Sequence, residues 1–290
     1  MVRSLALALA LAACTGGTTK TPATTPPPAG GSGSAVAGPA KLPDGPPLVT
    51  PGEHMAYKLA LKGIDLATYE MAVGEQADVG GVKTVVVQSH AKAVGFVKMV
   101  ANVDDTFTSW IDIASGRPAR WTSDEYGTHS EDKERTDIKF GARTGDSLPT
   151  MFHINDAAPT PEPQTVHFPD VWDFNSFLVA LRSWEAPIGA SITVEVLRSR
   201  FLWHVEMTVH GKDKLTTPLG DFPALRFDAK TYKLDRAGNR LADSDERAFS
   251  IWISDDDGRV PLQITARTDY GDIKMEITEY QPGTGTRLRN

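Results

Sequence analysis

A few side chains have the spacing that metal chemistry needs. His204, Glu206 and His210 are separated by even intervals, so on a β-strand they lie on one face, where imidazole and carboxylate groups can share a metal ion. The opposite face of the same strand is apolar, and a water-facing outer face explains the polar residues equally well. The solvated face is the favoured interpretation, and we predict no metal site here.

A run of acids near the C-terminus resembles part of a calcium-binding loop. Asp255, Asp256 and Asp257 precede Gly258, but Arg259 follows where a complete loop would need further oxygen ligands. A hairpin turn at Asp257-Gly258 accounts for the same residues without a metal. The turn is therefore the preferred interpretation.

Other catalytic and nucleic-acid signatures are missing from the sequence. It contains no Gly-x-Ser-x-Gly elbow, phosphate-binding glycine loop, His-Glu-x-x-His motif or dinucleotide fingerprint. The net charge of −7 disfavours nucleic acid as a partner, and one cysteine excludes an intramolecular disulfide. We predict a protein that is not an enzyme and has no cofactor. A hydrolase acting on an envelope polymer stays open, because paired carboxylates can be drawn from many acids.

The N-terminal residues indicate export and lipidation. Arg3 precedes an apolar run from Leu5 to Ala13, which is too short to cross a bilayer and ends at Cys14. This segment resembles a bacterial lipoprotein signal, which implies a signal peptide over 1–13 and a lipid such as palmitate on Cys14. Thr15 after the cysteine favours the outer membrane, facing the periplasm. A soluble export signal with an incidental cysteine is the alternative.

The composition then changes twice along the chain. Residues 14–50 comprise the cysteine and a segment rich in Pro, Thr, Gly and Ser, which we predict to be a disordered stalk because it has little apolar area to bury. Residues 51–290 have globular composition with neither a second linker nor an internal repeat. We expect them to form a single β-rich domain.

Alternating apolar and polar residues predict the strands of this domain. The pattern is typical of an antiparallel sheet with one covered face. The strongest segments are 201–209, 225–231, 262–269 and 273–278.

One segment has helical spacing instead. Apolar residues from Val171 to Trp184 recur at helical intervals, Asp170 is placed to cap the first turn, and Pro187 prevents continuation. Arg182 near its end is expected to fasten the helix to the sheet by an ion pair with Asp255 or Asp256. A ligand-binding role for Arg182 is the lesser alternative.

Three C-terminal stretches and an N-terminal Pro51-Gly52-Glu53 together resemble a known family. The stretches are 171–189 (VWDFNSFLVALRSWEAPIG), 217–227 (TPLGDFPALRF) and 251–264 (IWISDDDGRVPLQI). The chain is similar here to the exported bacterial family named domain of unknown function 3108. The resemblance implies an exported, β-rich protein and supplies no catalytic residue.

These observations predict an all-β, mostly antiparallel fold, with a curved open sheet or half-barrel around one main helix. Its function is predicted as non-enzymatic binding of a hydrophobic ligand by a cell-envelope lipoprotein. The residues expected to line the pocket are Trp172, Phe177, Trp184 and Trp203. The ordinary core is the competing interpretation of all four, and scaffolding of an envelope protein partner is the alternative function. The segment 141–168 is expected to be either a lid or a disordered loop.

Overall fold

A computed structural model describes residues 41–100, 103–126 and 132–289. The predicted signal peptide, Cys14 and most of the predicted stalk lie outside the described residues. Residues 41–50 correct the predicted stalk boundary, because Leu42, Leu48 and Val49 are buried against the β domain. The packed region therefore begins before residue 51. No helix in the described part of the chain is long and apolar enough to span a membrane.

Strands dominate the described residues, as the alternation predicts. They are β1 (His54–Leu61), β2 (Ile64–Val79), β3 (Val82–Ala93), β4 (Asp104–Asp112), β5 (Pro118–Tyr126), β6 (Lys133–Lys139), β7 (Ser147–Leu148), β8 (Thr150–Ile154), β9 (Thr160–Pro161), β10 (Gln164–Thr165), β11 (Val171–Asp173), β12 (Ser191–Arg198), β13 (Phe201–Thr217), β14 (Gly220–Lys233), β15 (Arg247–Ser254), β16 (Pro261–Thr268) and β17 (Gly271–Gln281). The helices are α1 (Val97–Val100) and α2 (Phe174–Arg182), with a 3-10 turn at Phe140–Ala142.

One large open sheet organises the domain. Its strand order is β11-β12-β13-β14-β15-β16-β17-β1-β2-β3-β4-β5-β6-β8-β9, and β7 pairs with β10 separately. The pairing of β11 with β12 is parallel, while the neighbouring pairs are antiparallel. The predicted mostly antiparallel, curved open sheet is confirmed. The four strongest predicted strands correspond to β13, β14, β16 and β17.

The concave face of the sheet holds α2. This helix contacts β3, β4, β11 and β12, and its side chains from Asn175 to Arg182 are all buried. The predicted helix start was wrong: Val171–Asp173 forms β11, and the cap is Asp173 rather than Asp170. Asp173 accepts a hydrogen bond from Ser176 N at 3.0 Å, and Ser176 Oγ accepts one from Asp173 N at 3.1 Å. This capping box fixes the first turn.

The segment 141–168 is neither a lid nor a disordered loop within the structure. It contains β7, β8, β9 and β10. Leu148 and Val166 from this segment join Trp121, Leu197 and Leu202 in a second, smaller core. That core lies between β5–β7 and β11–β13, so parts of the sheet that are distant in the strand order pack together. The strands at the two ends of the order, β11 and β9, do not pair with each other.

The two ends of the sheet have different characters. We call the end with the β1–β2, β3–β4 and β16–β17 connections the tip end; there Leu61 pairs with both Ile64 and Ile273. The opposite end, which holds Glu53 and the β15–β16 connection, is the latch end. Residues 41–50 enter at the latch end, where Gly45 N donates to Ser115 O at 3.2 Å.

Candidate functional site

A buried ion pair holds the C-terminal end of α2 at the latch end. Arg182 Nη1 donates to Glu53 Oε2 at 2.9 Å, and Nη2 donates to Glu53 Oε1 at 2.7 Å. Both side chains are at most 4% exposed. Tyr280 also donates to Glu53 Oε1 at 3.1 Å, and burial together with Glu53 raises the pKa of Tyr280 to about 12. We call the Glu53–Arg182 pair the latch.

The predicted fastening role of Arg182 is confirmed, but its predicted partner was wrong. Asp255 pairs with Lys212 at 2.8 Å. Asp256 Oδ1 accepts hydrogen bonds from Gly258 N at 2.9 Å and Arg259 N at 3.0 Å, as a hairpin-turn acid does. The hairpin at Asp257-Gly258 still helps to hold Arg182, because the Gly258 carbonyl oxygen accepts a hydrogen bond from Arg182 Nη2 at 2.9 Å. The structure thus joins three separated sequence motifs through backbone and side-chain hydrogen bonds.

The opposite end of α2 borders a small internal cavity of about 20 Å³. Residues of the sheet and of the first helical turn line it: Tyr69, Ala91, Asp105, Phe107, Trp121, Phe174, Asn175 and Arg198. Asn175 Oδ1 accepts hydrogen bonds from Ser89 Oγ at 2.9 Å and Tyr69 Oη at 3.3 Å. This volume accommodates about one water molecule, since a bound water needs roughly 10–15 Å³ on this measure.

Charged groups meet at this cavity. Burial, and then the nearby Glu125 carboxylate, raise the pKa of Asp105 to about 7. Burial also lowers the pKa of Arg198, although Glu125 and Asp105 oppose this shift by favouring its charged form. Asp105 Oδ1 accepts a hydrogen bond from Tyr126 N at 3.1 Å. A carboxyl group that titrates near neutrality therefore lies between the helix and the sheet.

The predicted pocket residues are placed in the core instead. Trp172, Phe177, Trp184 and Trp203 are each at most 3% exposed, and Trp184 stacks on Phe227 with ring centroids 5.6 Å apart. None of the four lines the internal cavity. The space between helix and sheet is filled by these large side chains, so in this structure it falls far short of the several hundred Å³ that a small-molecule site occupies.

A larger open cleft lies on the surface at the latch end. Its volume is about 290 Å³. Its walls come from β3, the β4–β5 connection, the 140–148 segment and the start of β11. The lining residues are Val82, Asp112, Ser115, Arg117, Pro118, Ala119, Phe140, Gly141, Arg143, Leu148, Pro169, Asp170 and Val171. We call this the latch-end cleft.

Two guanidinium groups border the latch-end cleft. Arg117 Nη2 lies 2.8 Å from Asp44 Oδ1 and 2.9 Å from Asp170 Oδ2, and its guanidinium carbon lies 4.6 Å from the centre of the Trp172 ring. Arg117 Nη1 is buried without a hydrogen-bond partner among the described residues. Arg143 donates to the carbonyls of Phe168 and Pro169 at 2.7 and 3.0 Å. Because Arg117 stacks on the Trp172 ring, the Arg117 side chain separates Trp172 from the cleft.

The structure does not bring the three candidate metal ligands together. His204 Nε2 lies 3.4 Å from Glu206 Oε1, whereas His210 Nδ1 lies 2.8 Å from Asp228 Oδ2. The His204 ring also stacks on Tyr232, with centroids 4.7 Å apart. Across 41–100, 103–126 and 132–289, no group of three or more His, Cys, Asp or Glu residues is arranged to hold a metal ion.

The family model named as a protein of unknown function, domain of unknown function 3108 (DUF3108), matches residues 55–278. The chain belongs to the DUF3108 family. No curated protein compared with the chain matches it. The DUF3108 model covers the strands from β1 to most of β17, and it covers α2 with Arg182 but not Glu53.

Solved structures with a similar arrangement share little sequence with this DUF3108 chain. A beta-barrel-like protein of domain of unknown function 1849 from Brucella abortus has a TM-score of 0.49 and 8% identity, covering 81% of this chain and 99% of that one. A candidate lipoprotein from Parabacteroides distasonis has a TM-score of 0.40 and 10% identity, covering 82% and 100%. A candidate exported protein from Bacteroides fragilis has a TM-score of 0.37 and 6% identity, covering 82% and 98%.

Sequence reasoning missed the residues that border the sites of this DUF3108 domain. In the sequence, Glu53 stands out only as part of the Pro51-Gly52-Glu53 motif, although an acid directly before a strand is an available partner for Arg182. Asp105 and Arg198 lie at strand ends separated by more than ninety residues, and no local pattern pairs them. Arg117 follows a Ser-Gly turn and gives no sequence signal of its own.

Proposed function

We propose that this protein is a lipid-anchored, non-enzymatic protein of the cell envelope that binds a small amphiphile in the latch-end cleft. The observation that carries the proposal is an open volume of about 290 Å³ whose lining combines apolar side chains with two guanidinium groups. This volume is close to the lower end of small-molecule sites, which span roughly 300–1,000 Å³. The ligand class inferred is an apolar chain with one anionic group.

The lining supports both halves of such a ligand. Val82 and Phe140 offer apolar surface to a hydrocarbon chain, and the buried side chains of Leu148 and Val171 also line the cleft. Arg117 offers a planar guanidinium, which pairs with carboxylates and phosphates through two parallel hydrogen bonds. In this structure the carboxylates of Asp44 and Asp170 pair with Arg117, where the anionic group of a ligand would bind. An anionic group would compete with these two carboxylates for the guanidinium.

This proposal moves the predicted hydrophobic ligand from the interior to the surface. The internal cavity holds about 20 Å³, so an acyl chain enters it only if α2 separates from the sheet. Each large buried side chain of α2 contributes on the order of 1.5–3 kcal/mol to keeping it in place. Binding in the latch-end cleft has no such cost.

Decanoate is a suitable probe, because it combines a ten-carbon chain with one carboxylate. Titration calorimetry is expected to show saturable binding of decanoate and binding of decanol that is about tenfold weaker. Arg117→Gln is expected to remove this preference for the carboxylate. Absence of saturable decanoate binding, or equal affinity for the alcohol, would refute the cleft as an amphiphile site.

Arg226→Gln provides a matched control for this experiment. Arg226 also stacks on a tryptophan, with its guanidinium carbon 5.2 Å from the Trp252 ring centre, and also pairs with an aspartate, Asp228, at 2.8 Å. It lies outside the cleft lining. Equal loss of decanoate affinity in both variants would show a nonspecific charge effect.

The proposed anchor is the lipid on Cys14, with the protein held at the outer membrane and facing the periplasm. Support comes from the apolar run that ends at the single cysteine. Labelled palmitate is expected to enter the wild-type chain and not Cys14→Ala. Equal labelling of the two chains would refute lipidation at this residue, and recovery of the label in the inner-membrane fraction would refute the outer-membrane assignment.

A further inference from the structure

An apolar patch at the tip end is unrelated to the latch-end cleft. Three large side chains are strongly exposed there: Ile64 at 54%, Phe96 at 51% and Met99 at 86%. Ile64 begins β2, and the other two belong to the β3–β4 connection. Val94 N donates to Leu66 O at 3.0 Å, which keeps this connection beside the start of β2. We call Ile64, Phe96 and Met99 the tip patch.

The tip patch is presented by a well-anchored turn. Met99 N donates to Phe96 O at 3.0 Å, and Val97 between them is buried at 2% exposure in the main core. The core therefore fixes Val97, while Phe96 and Met99 on either side project into solvent. A clustered set of exposed large apolar residues costs free energy in water and indicates a surface that is covered in use.

The charges around the tip patch favour an anionic surface. Lys62 and Lys98 are exposed beside it, and neither takes part in an ion pair within the described ranges. The nearby acids are already paired: Asp65 with Lys58 at 3.4 Å, and Asp104 with His90 at 2.6 Å and Lys92 at 3.5 Å. Lysines flanking exposed Phe and Met side chains match a bilayer interface, with cations at the phosphates and apolar groups below them.

The length of the N-terminal segment allows this contact. Between Cys14 and Lys41 there are 26 residues, which can span at most about 86 Å. The longest strand that runs between the two ends near the patch, β2, has 16 residues and a length of about 53 Å. The chain that enters at the latch end can therefore extend past the domain to a membrane at the tip end.

From the patch, its flanking lysines and this reach, we propose that the tip end docks on an anionic lipid surface. Phe96, Met99 and Ile64 would lie among the upper acyl carbons, and Lys62 and Lys98 at the headgroups. The latch-end cleft would then point away from the bilayer, towards the aqueous compartment. The proposal rests on the proposed lipid anchor at Cys14 but not on what the cleft binds.

Fluorescence quenching from within the bilayer tests this docking. Met99→Cys is labelled with bimane in the full lipidated chain, where the proposed lipid occupies Cys14. The protein is isolated on vesicles of equal phosphatidylglycerol and phosphatidylcholine by flotation. Leu219→Cys is the matched control, because Leu219 is an exposed apolar residue at 42% on the β13–β14 connection of the latch end.

We expect nitroxide-bearing lipid to quench the label at position 99 at least about twofold more than the label at position 219. Lys62→Glu with Lys98→Glu, or vesicles of phosphatidylcholine alone, should reduce that quenching. Equal quenching at both positions would overturn the proposal. So would a label at position 99 that is shielded from aqueous iodide yet unquenched by lipid, because that result indicates contact with a protein, either a partner or a second copy.

Discussion

The two ends of α2 are held in different ways. At the latch end, the Arg182 guanidinium forms paired hydrogen bonds with Glu53 and a third with the Gly258 carbonyl. At the tip end, the helix begins beside the small cavity, where burial and Glu125 keep the pKa of Asp105 near 7. The latch end of α2 is held by a buried ion pair, whereas the tip end borders a small cavity lined by a titratable carboxyl group.

The difference shows how one short helix can combine rigidity with sensitivity to conditions. A buried arginine must remain paired, because an uncompensated buried charge is strongly destabilising. A buried carboxyl group can instead take up a proton and become neutral. We therefore expect mutations at the latch end to have large effects at every pH, and mutations at the tip end to have smaller, pH-dependent effects.

The largest effect is expected from Arg182→Ala. Removal of the guanidinium leaves Glu53 buried without its ionic partner, which costs about 3–5 kcal/mol. Thermal unfolding should show a Tm lowered by roughly 10 °C. The surface variant Arg226→Ala should shift the free energy of unfolding by at most about 1 kcal/mol. A similar small shift in Arg182→Ala would contradict the closure of the latch end by this pair.

A smaller effect is expected from Asp173→Ala at the tip end. The substitution removes the cap of α2 and leaves Ser109 Oγ, which donates to Asp173 Oδ1 at 2.5 Å, without its acceptor. Urea unfolding followed by circular dichroism should show a loss of about 2 kcal/mol. Asp170→Ala is the control, because this acid does not cap the helix. Equal losses in the two variants would show that the capping box is unimportant.

The pH dependence of Asp105→Asn separates the two ends most directly. The carboxyl has a pKa near 3.8 in the unfolded chain and about 7 in the folded one. The folded state therefore binds the proton more tightly, and the stability due to this proton is lost as the pH rises through 7. Asparagine cannot ionise, so the variant should be more stable than wild type at pH 8, where the wild-type carboxyl is mostly charged in both states.

That advantage of Asp105→Asn should largely disappear near pH 3, below the pKa of both states, where the wild-type carboxyl is mostly protonated whether folded or unfolded. Parallel urea unfolding of wild type and variant between pH 3 and pH 8 measures this convergence. An advantage that is constant with pH would mean that Asp105 does not titrate between the helix and the sheet.

The smallest effect is expected at the tip patch. Met99→Ser should change the free energy of unfolding by less than about 0.5 kcal/mol, because the side chain is exposed. Val97→Ser in the same turn should cost about 1–3 kcal/mol, since it places a hydroxyl in the core. Equal costs would show that Met99 serves folding, and its exposure would no longer indicate a docking surface.

Sequence patterns predicted what depends on local periodicity. The strands β13, β14, β16 and β17 and the helical segment follow from apolar spacing. The start of α2 was misplaced by three residues, because Val171–Asp173 pairs in parallel with Glu195–Leu197 and this pairing takes precedence over helix formation. The aromatic residues were assigned to a pocket, and close packing of the helix against the sheet buried them instead.

By itself the sequence determined the class of fold, the position of the helix, the need for a partner to Arg182 and the expectation of an exported, lipid-anchored chain. Only the tertiary structure decided which acid pairs with Arg182 and where open space remains. Both depend on side chains more than a hundred residues apart being brought within a few ångströms, as Glu53 and Arg182 are. The periodicity of a strand predicts which of its faces is buried, but the curvature of the sheet decides which residues pack against that face.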